Sequence, residues 1–275
     1  MREPGIYQDI DISLYHADEG ISSSGISLIL DCPKRYWQEY LSGKPTDRKG
    51  KQYDIGQAMH TAILEPAKLQ DRFYFASESF DLRTKAGKEA FTRVEAEAGH
   101  RTILRGADCE MILDMEAAVK NHPLWEKVEL AKGNIEHSIY WDGGIYKTRL
   151  RARPDFYNEN IIIDLKTTES IASFSKSVYS YGYHRQAAMQ LDGLESIDGK
   201  KRHFAFFVIE KKAPYLTACF TLDDEALELG RKEYLEGAAT YSECQRYNVW
   251  PGYEQKIQLL SLPKWAFKKD EEEII

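Results

Sequence analysis

No run of eighteen apolar residues occurs in the chain, so a transmembrane helix is not expected. Cys32, Cys109, Cys219 and Cys244 stand far apart without a CxxC pair. That spacing argues against a zinc or iron–sulfur site and offers no disulfide framework. The opening MREPGIYQDIDISLYH is acidic and has no signal-peptide hydrophobic stretch, so a cytoplasmic protein without membrane partners is expected. Internal repeats and low-complexity linkers are also missing. Positive charge is in deficit: 37 Lys and Arg against 44 Asp and Glu give a net charge of −7, which does not advertise a nucleic-acid binder.

What is present is 275 residues, 43% hydrophobic and 29% charged, enough for one ordinary globular unit. The basic residues are unevenly spread. Between Gly144 and Lys212 twelve Lys and Arg meet eight Asp and Glu, so this part is positive while the rest is strongly negative. Such asymmetry can place a basic channel inside an acidic exterior.

The order of elements reads as helices, three strands, a helix, two strands and a helix, an α/β sheet with helices on its faces. Helices are expected in SSSGISLILDCPKRYWQEYLSG (interrupted at Pro33), in YDIGQAMHTAILEPAKLQDRF (ending or kinking at Pro66), and in ADCEMILDMEAAVKNHPLW (ending before Pro123). Residues 75–107 read as polar and helical in part. Strands are expected over 135–141, 145–157 and 160–167, the first two joined across Asp142-Gly143-Gly144. A helix follows over 179–194, then HFAFFVIEK and YLTACFTL as strands hinged at Ala213-Pro214, and a long helix from Asp223. The KKDEEEII end reads as disordered. One domain spans 1–275: a mainly helical part to 130, a sheet core over 131–222, and a final helix and tail.

The segment RPDFYNENIIIDLKT carries the chemistry. Three isoleucines announce a buried strand, yet it runs into Asp164-Leu165-Lys166. Strand alternation puts Ile162, Asp164 and Lys166 on one face and Ile161, Ile163 and Leu165 on the other. If the strand before it pairs as a hairpin, Asp155 approaches Asp164. Two carboxylates beside a lysine can hold a divalent cation and leave an ammonium next to its water, the equipment for phosphodiester hydrolysis. Hard oxygen ligands suit Mg²⁺ or Mn²⁺. An exposed Asp/Lys pair at a strand end is the bland rival.

Pro154-Asp155 followed by Asp164-Leu165-Lys166 resembles the motif of the PD-(D/E)xK nucleases. Two further segments narrow the likeness to the RecB-like branch and to RecE-type exonucleases: GQAMHTAILEP, with His60, and YGYHRQAAMQLDG, with Tyr183 and Gln186. The resemblance runs from ISSSGISLILDCPKRYW to the helix near residue 193. It implies a restriction-endonuclease-like core, a central mixed sheet flanked by helices. It implies that His60, Asp155, Asp164 and the Leu165 carbonyl ligate the metal and that Lys166 is catalytic. Tyr183 and Gln186, three apart on a helix, are expected to place the scissile phosphate or the lysine, with packing a rival role for Tyr183. Glu136 is a candidate second-metal or supporting carboxylate, or an ordinary strand residue.

Lys147, Arg149, Arg151 and Arg153 alternate along the preceding strand. Phosphate binding and salt bridging to neighbouring acids are equal readings of that stripe. DCPKRYW also occurs in relatives that hold an iron–sulfur cluster, but no three cysteines follow the Tyr/Gln helix here. Cys32 is therefore read as structural, with no cluster, and Trp37 and Tyr40 as core. The resemblance further implies Mg²⁺-dependent 5′-to-3′ digestion of linear double-stranded DNA. The implied setting is a phage or prophage one in a bacterial cell, with a homo-oligomeric ring and a single-strand annealing partner. An endonuclease, a single-strand-specific nuclease and an inactive DNA-binding module share the same core and stay open.

Overall fold

The structure, a computed structural model, describes residues 2–44, 51–76, 80–130 and 132–263. The KKDEEEII tail and most of the polar loop before Lys51 lie outside the described residues. The chain starts with β1 (Gly5–Tyr7) and α1 (Ile12–Ala17), then α2 (Ser23–Asp31), which Ser22 caps by accepting the Gly25 N–H. Pro33 ends α2 by opening a new turn, α3 (Pro33–Tyr36), which runs into a π-helical turn over Trp37–Leu41. The interruption expected at Pro33 is thus a change of helix. Of its aromatic residues Tyr36 is the buried one, stacked on Trp250 at 5.5 Å and edge-on to Tyr241 at 5.2 Å.

α4 (Lys51–Leu64) stops before Pro66, as expected, and a 3₁₀ turn leads to α5 (Leu69–Arg72). Residues 75–107, expected to be partly helical, hold α6 (Lys85–Ala98) between two short strands, β2 (Phe73–Ala76) and β3 (Thr102–Arg105). These pair in parallel across the helical crossover. Four residues are too few to display an alternating pattern, so neither strand shows in the sequence. α7 (Ala107–Lys120) and α8 (Pro123–Leu130) complete the N-terminal part, Pro123 serving as the first residue of α8.

The two strands expected over 135–141 and 145–157 are each divided between two sheets. β4 (Asn134–Ile135) and β7 (Phe156–Tyr157) belong to a five-stranded sheet of order β10-β9-β8-β7-β4, with β8 (Ile161–Thr168), β9 (His203–Glu210) and β10 (Thr217–Phe220). β5 (Ser138–Gly143) and β6 (Thr148–Ala152) join β1 in a three-stranded antiparallel sheet. The hairpin expected at Asp142-Gly143-Gly144 is present, with Gly143 opposite Thr148. Pro154 has no N–H to give a ladder, which suits the point where the chain crosses from β6 to β7.

β8 and β9 run parallel because α9 (Phe174–Ser180) and α10 (Tyr183–Asp198) carry the chain back between them. The one helix expected over 179–194 is in fact two. Gly182 sits in the left-handed region at φ 68° and separates them, a conformation glycine reaches without Cβ strain. β8 is buried on both faces, which is why three isoleucines stand in a row. Ile163 and Leu165 pack with Met59, Met115 and Trp125; Ile162 packs on the other side with Met189, Phe204 and Phe206. Each such burial contributes ~1.5–3 kcal/mol. No described helix is long and apolar enough to cross a membrane.

α11 (Asp224–Tyr247) closes the fold against α10 and α2. Arg231 grips Asp192 through two 2.8 Å hydrogen bonds, and Tyr234 donates to the same carboxylate at 2.7 Å. The helices approach closely at Gly230, where a Cβ would stand 2.3 Å from the His184 carbonyl oxygen. Gly56, inside α4, meets nothing within 4 Å. The two glycines therefore respond oppositely to alanine. Gly230→Ala is expected to lose ~1–3 kcal/mol through overpacking, whereas Gly56→Ala gains up to ~1 kcal/mol of helix propensity. Urea midpoints of the two variants check the pair.

Candidate active site

The β4–β7–β8 register builds the site. Ile135 faces Phe156, and Phe156 faces Ile163, so one step further Glu136, Asp155 and Asp164 stand side by side on three adjacent chain segments. The Glu136 N–H still donates to the Asp155 carbonyl at 3.2 Å, although β4 has ended. Glu136 takes φ 54°, an uncommon conformation for a non-glycine residue, and there the chain turns away towards β5. The approach of Asp155 to Asp164 expected from a hairpin is what this pairing produces.

His60 comes from α4, with Nδ1 3.4 Å from Asp155 Oδ2. One ligand atom each from His60, Glu136 and Asp155 lie within 4.8 Å of one another. Asp155 Oδ2 also accepts the Leu165 N–H at 2.7 Å, which ties the carboxylate to β8. Glu136 is held from behind: Arg153 Nε donates to its Oε2 at 2.7 Å, and the same guanidinium donates to the Ile10 carbonyl at 2.8 Å.

Asp164 is fully buried and lies outside that convergent group. Its Oδ1 accepts from Gln186 Nε2 at 2.7 Å, and its Oδ2 is ion-paired with Lys166 Nζ. The Lys166 ammonium stands 4.7 Å from the centroid of the Tyr183 ring, a cation–π contact. Lys166 and Gln186 thus flank Asp164, and Tyr183 covers Lys166. The convergent group has Glu136 as its second carboxylate, while Asp164, expected as a ligand, stands on the neighbouring strand tied to Lys166 and Gln186. Leu165 contributes its N–H to the site.

The electrostatics follow from crowding. Burial and the neighbouring Asp155 push Glu136 up to about 7, against the pull of Arg153. Burial and Asp155 likewise push Asp164 up to about 6, against the pull of Lys166. Asp155 itself is lowered: burial works against its charge, but His60, Lys166 and the Leu165 N–H outweigh it. For Lys166, burial disfavours the ammonium, but Asp164 and Asp155 outweigh it and the lysine stays protonated. Two carboxylates and an imidazole converging, with one carboxylate driven towards neutrality by burial and by the other, form a donor set that fits a divalent cation.

The basic stripe is the part that sequence reasoning placed least well. A strand from 145 to 157 would present its alternate residues on one face, but the chain changes sheet within it. Lys147 lies exposed in the hairpin turn at φ 48°. Arg149 makes a two-pronged pair with Asp142. Arg151 is buried and donates to the carbonyls of Tyr15, His16 and Asp18, fastening α1 to the sheet. Arg153 serves Glu136. Of the two readings, bonding within the chain is the one the contacts of these three arginines display.

Two features were not anticipated. The role of Arg153 was hidden because its partner, Glu136, lies seventeen residues away across a sheet boundary. A cleft of about 350 Å³ beside the site is lined by Ser22, Ser24, Ser27, Arg153, Gln186 and Gln190. Gln190 is buried there, one helical turn beyond Gln186, with Oε1 lacking a hydrogen-bond partner. The serine run SSSGIS was legible, but only as a helix cap. Cys32 is buried at the α2–α3 junction, its thiol directed to the Pro251 carbonyl at 3.7 Å.

Residues 22–263 match a family described as a PDDEXK-like domain of unknown function, DUF3799. No curated protein sequence matches significantly. A crystal structure from Eubacterium rectale, of a protein provisionally assigned as an exonuclease, aligns with a TM-score of 0.65 and 15% identity over 98% of both chains. At that identity the likeness speaks to the fold. The structure of SSO0001 aligns with a TM-score of 0.30 and 10% identity over 83% of this chain and 87% of the other, too distant to carry weight. The mixed sheet flanked by helices, the Pro154-Asp155 and Asp164-Leu165-Lys166 arrangement and the match over most of the chain agree: the protein belongs to the PDDEXK-like family DUF3799 of the PD-(D/E)xK nuclease superfamily.

Proposed function

We propose that the protein is a Mg²⁺-dependent DNA exonuclease of the RecE type, with Mn²⁺ able to substitute. The observation that carries this reading is the convergence of His60, Glu136 and Asp155 beside a protonated, buried Lys166. A divalent ion held by those three residues would supply an activated water and neutralise charge on the phosphate. Everything else is done by the chain. Asp164 and Tyr183 fix the Lys166 ammonium from two sides, so it can meet the developing charge of the pentavalent phosphate without first reorganising. Gln186 holds the other oxygen of Asp164 and so fixes the orientation of that carboxylate. Arg153 does the same for Glu136, and the Leu165 N–H for Asp155. The serine-lined cleft next to Gln186, at the N-terminus of α2, offers a path for the phosphate backbone.

We further propose linear double-stranded DNA as substrate, digestion from the 5′ end, and a 3′ single-stranded product passed to an annealing protein. These points rest on the family resemblance. The ring assembly is favoured by charge. Arg149, Arg151, Arg153, Arg185 and Arg202 are all engaged within the chain, so these five are not free for a duplex, and a single subunit carries a net charge of −7. Several subunits around one duplex would pool what remains.

Two measurements test the reading. In calorimetric titration with Mn²⁺, Arg153→Met keeps all three ligands and is expected to weaken binding ~10–100-fold, the usual cost of losing a ligand's supporting hydrogen bond. His60→Ala and Asp155→Asn should cost more than that. Unaltered binding in all three variants would remove the metal centre. In digestion of linear duplex labelled separately at its 5′ and 3′ ends, Lys166→Ala is expected to slow the reaction ~100-fold or more. Release of the 5′ label first, dependent on Mg²⁺ and abolished by EDTA, gives the direction. Cutting of closed circular DNA would make the protein an endonuclease, and no cleavage by folded, metal-binding wild type would leave a DNA-binding module.

A further inference from the structure

Tyr179, Tyr181 and Tyr183 straddle the turn between α9 and α10, and the turn sends their rings to different places. Tyr183 covers the Lys166 ammonium, 4.7 Å from the ring centroid. Tyr179 stacks on His184 at 5.9 Å and lines an apolar groove between α9, β10 and α11. Tyr181 lines the cleft beside Glu136 and Gln186, and it is 67% exposed. Its one ring contact among the described residues is with Tyr183, the centroids 5.6 Å apart. Its hydroxyl bonds to no described residue.

An exposed tyrosine is ordinary, but this one stands on a fixed backbone. The Tyr181 N–H donates to the Ser177 carbonyl at 2.9 Å, and Gly182 then turns the chain at φ 68°. Arg185 backs the turn: it donates to Glu233 of α11 at 2.6 Å and to the Ser27 hydroxyl of α2 at 3.3 Å. A Cβ on Gly182 would collide with the same guanidinium. The turn is thus tied to two neighbouring helices while the ring it carries is left open, so little order has to be gained when a flat partner lands on that ring.

Gln190 narrows the kind of partner. It is buried in the wall of the same cleft, with Oε1 unpartnered. An ionised phosphate only accepts hydrogen bonds and leaves that oxygen unsatisfied. The edges of adenine, cytosine and guanine bring N–H donors. An open ring at one end of the cleft and an orphaned acceptor further along α10 both call for bases, where a backbone path alone would need neither.

We infer that the open face of Tyr181 receives the nucleobase next to the scissile phosphate, and that this stack sets the strand in register with Lys166. The inference rests on the nuclease reading of the site. Tyr181 meets Tyr183, and Tyr183 meets Lys166, so a base on Tyr181 lies two ring contacts from the ammonium that faces the phosphate. Seven residues of α10 separate Tyr183 from Gln190, ~10 Å along the axis, so Gln190 meets a different nucleotide. Every base has a π-face, which makes the stack tolerant of sequence. A base is also neutral, so the net charge of −7 does not oppose it.

The test uses the full chain and a forked duplex, unpaired for a few nucleotides at one end, with an abasic site moved one position at a time through the cut strand. On intact DNA, Tyr181→Ala is expected to lower kcat/KM ~10–100-fold, the scale of one lost stack, and Tyr181→Phe to preserve it. At one abasic position wild type is expected to fall to the level of Tyr181→Ala, and that variant to lose nothing more. Tyr179→Ala, equally exposed on the other side of the turn, is expected to behave as wild type. A binding readout accompanies the kinetics: 2-aminopurine at each unpaired position in turn, with EDTA present to prevent cleavage. At one position its fluorescence is expected to be quenched by wild type and Tyr181→Phe but not by Tyr181→Ala. An unchanged kcat/KM in Tyr181→Ala, or equal losses on intact and abasic DNA at every position, would overturn the inference and leave the nuclease standing. Quenching that depends on Tyr181 without any cleavage would keep the stack and overturn the nuclease. Absence of both would overturn both.

Discussion

Three carboxylates on adjacent segments of one sheet repel each other, and the arrangement of the site answers that repulsion. Glu136, Asp155 and Asp164 are brought together by backbone pairing, which takes no account of their charge. Each is then supplied with its own counter-group: Arg153 for Glu136, His60 and the Leu165 N–H for Asp155, Lys166 and Gln186 for Asp164. The compensation is incomplete. Burial first, and Asp155 after it, push Glu136 to about 7 and Asp164 to about 6, so both resist ionising where they stand. A site that is stable but still under-compensated is one that gains from a cation.

The chain achieves this by leaving the sheet at the right places. β4 and β7 are each two residues long, and both give way to the second sheet beside the acidic row, at Glu136 and around Pro154. Ending the pairing there opens the row to α4, which delivers His60, and to the cleft under α2. The left-handed Glu136 costs of order 1 kcal/mol or more, and the hydrogen bond from Arg153 helps to hold it.

This geometry explains which parts could be read from sequence. The β8 strand and its two faces were legible because alternation is local: Ile162, Asp164 and Lys166 must share a side wherever the strand sits. His60, Asp155, Tyr183 and Gln186 were legible through motif spacing. The division of two strands between two sheets was not, since Glu136 is not a glycine and nothing local announces its positive φ. That omission left both readings of the arginines open, because a face shared along one strand disappears when the strand changes sheet. The break at Gly182 was visible only as a glycine within a helical pattern, a residue that helices also tolerate.

The engaged arginines bear on how a phosphate backbone would be held. A stripe of four free cations would have given the chain a strong electrostatic grip on phosphates. Instead Arg149, Arg151 and Arg153 hold the hairpin, α1 and Glu136 in place, and removing any of them would act first on structure. The donors left facing the cleft beside the site are then neutral ones, the serines of α2 and the amides of Gln186 and Gln190. Neutral donors hold a phosphate without needing a fixed countercharge, so beside the acidic row they add hydrogen bonds without competing with Glu136, Asp155 and Asp164 for a cation.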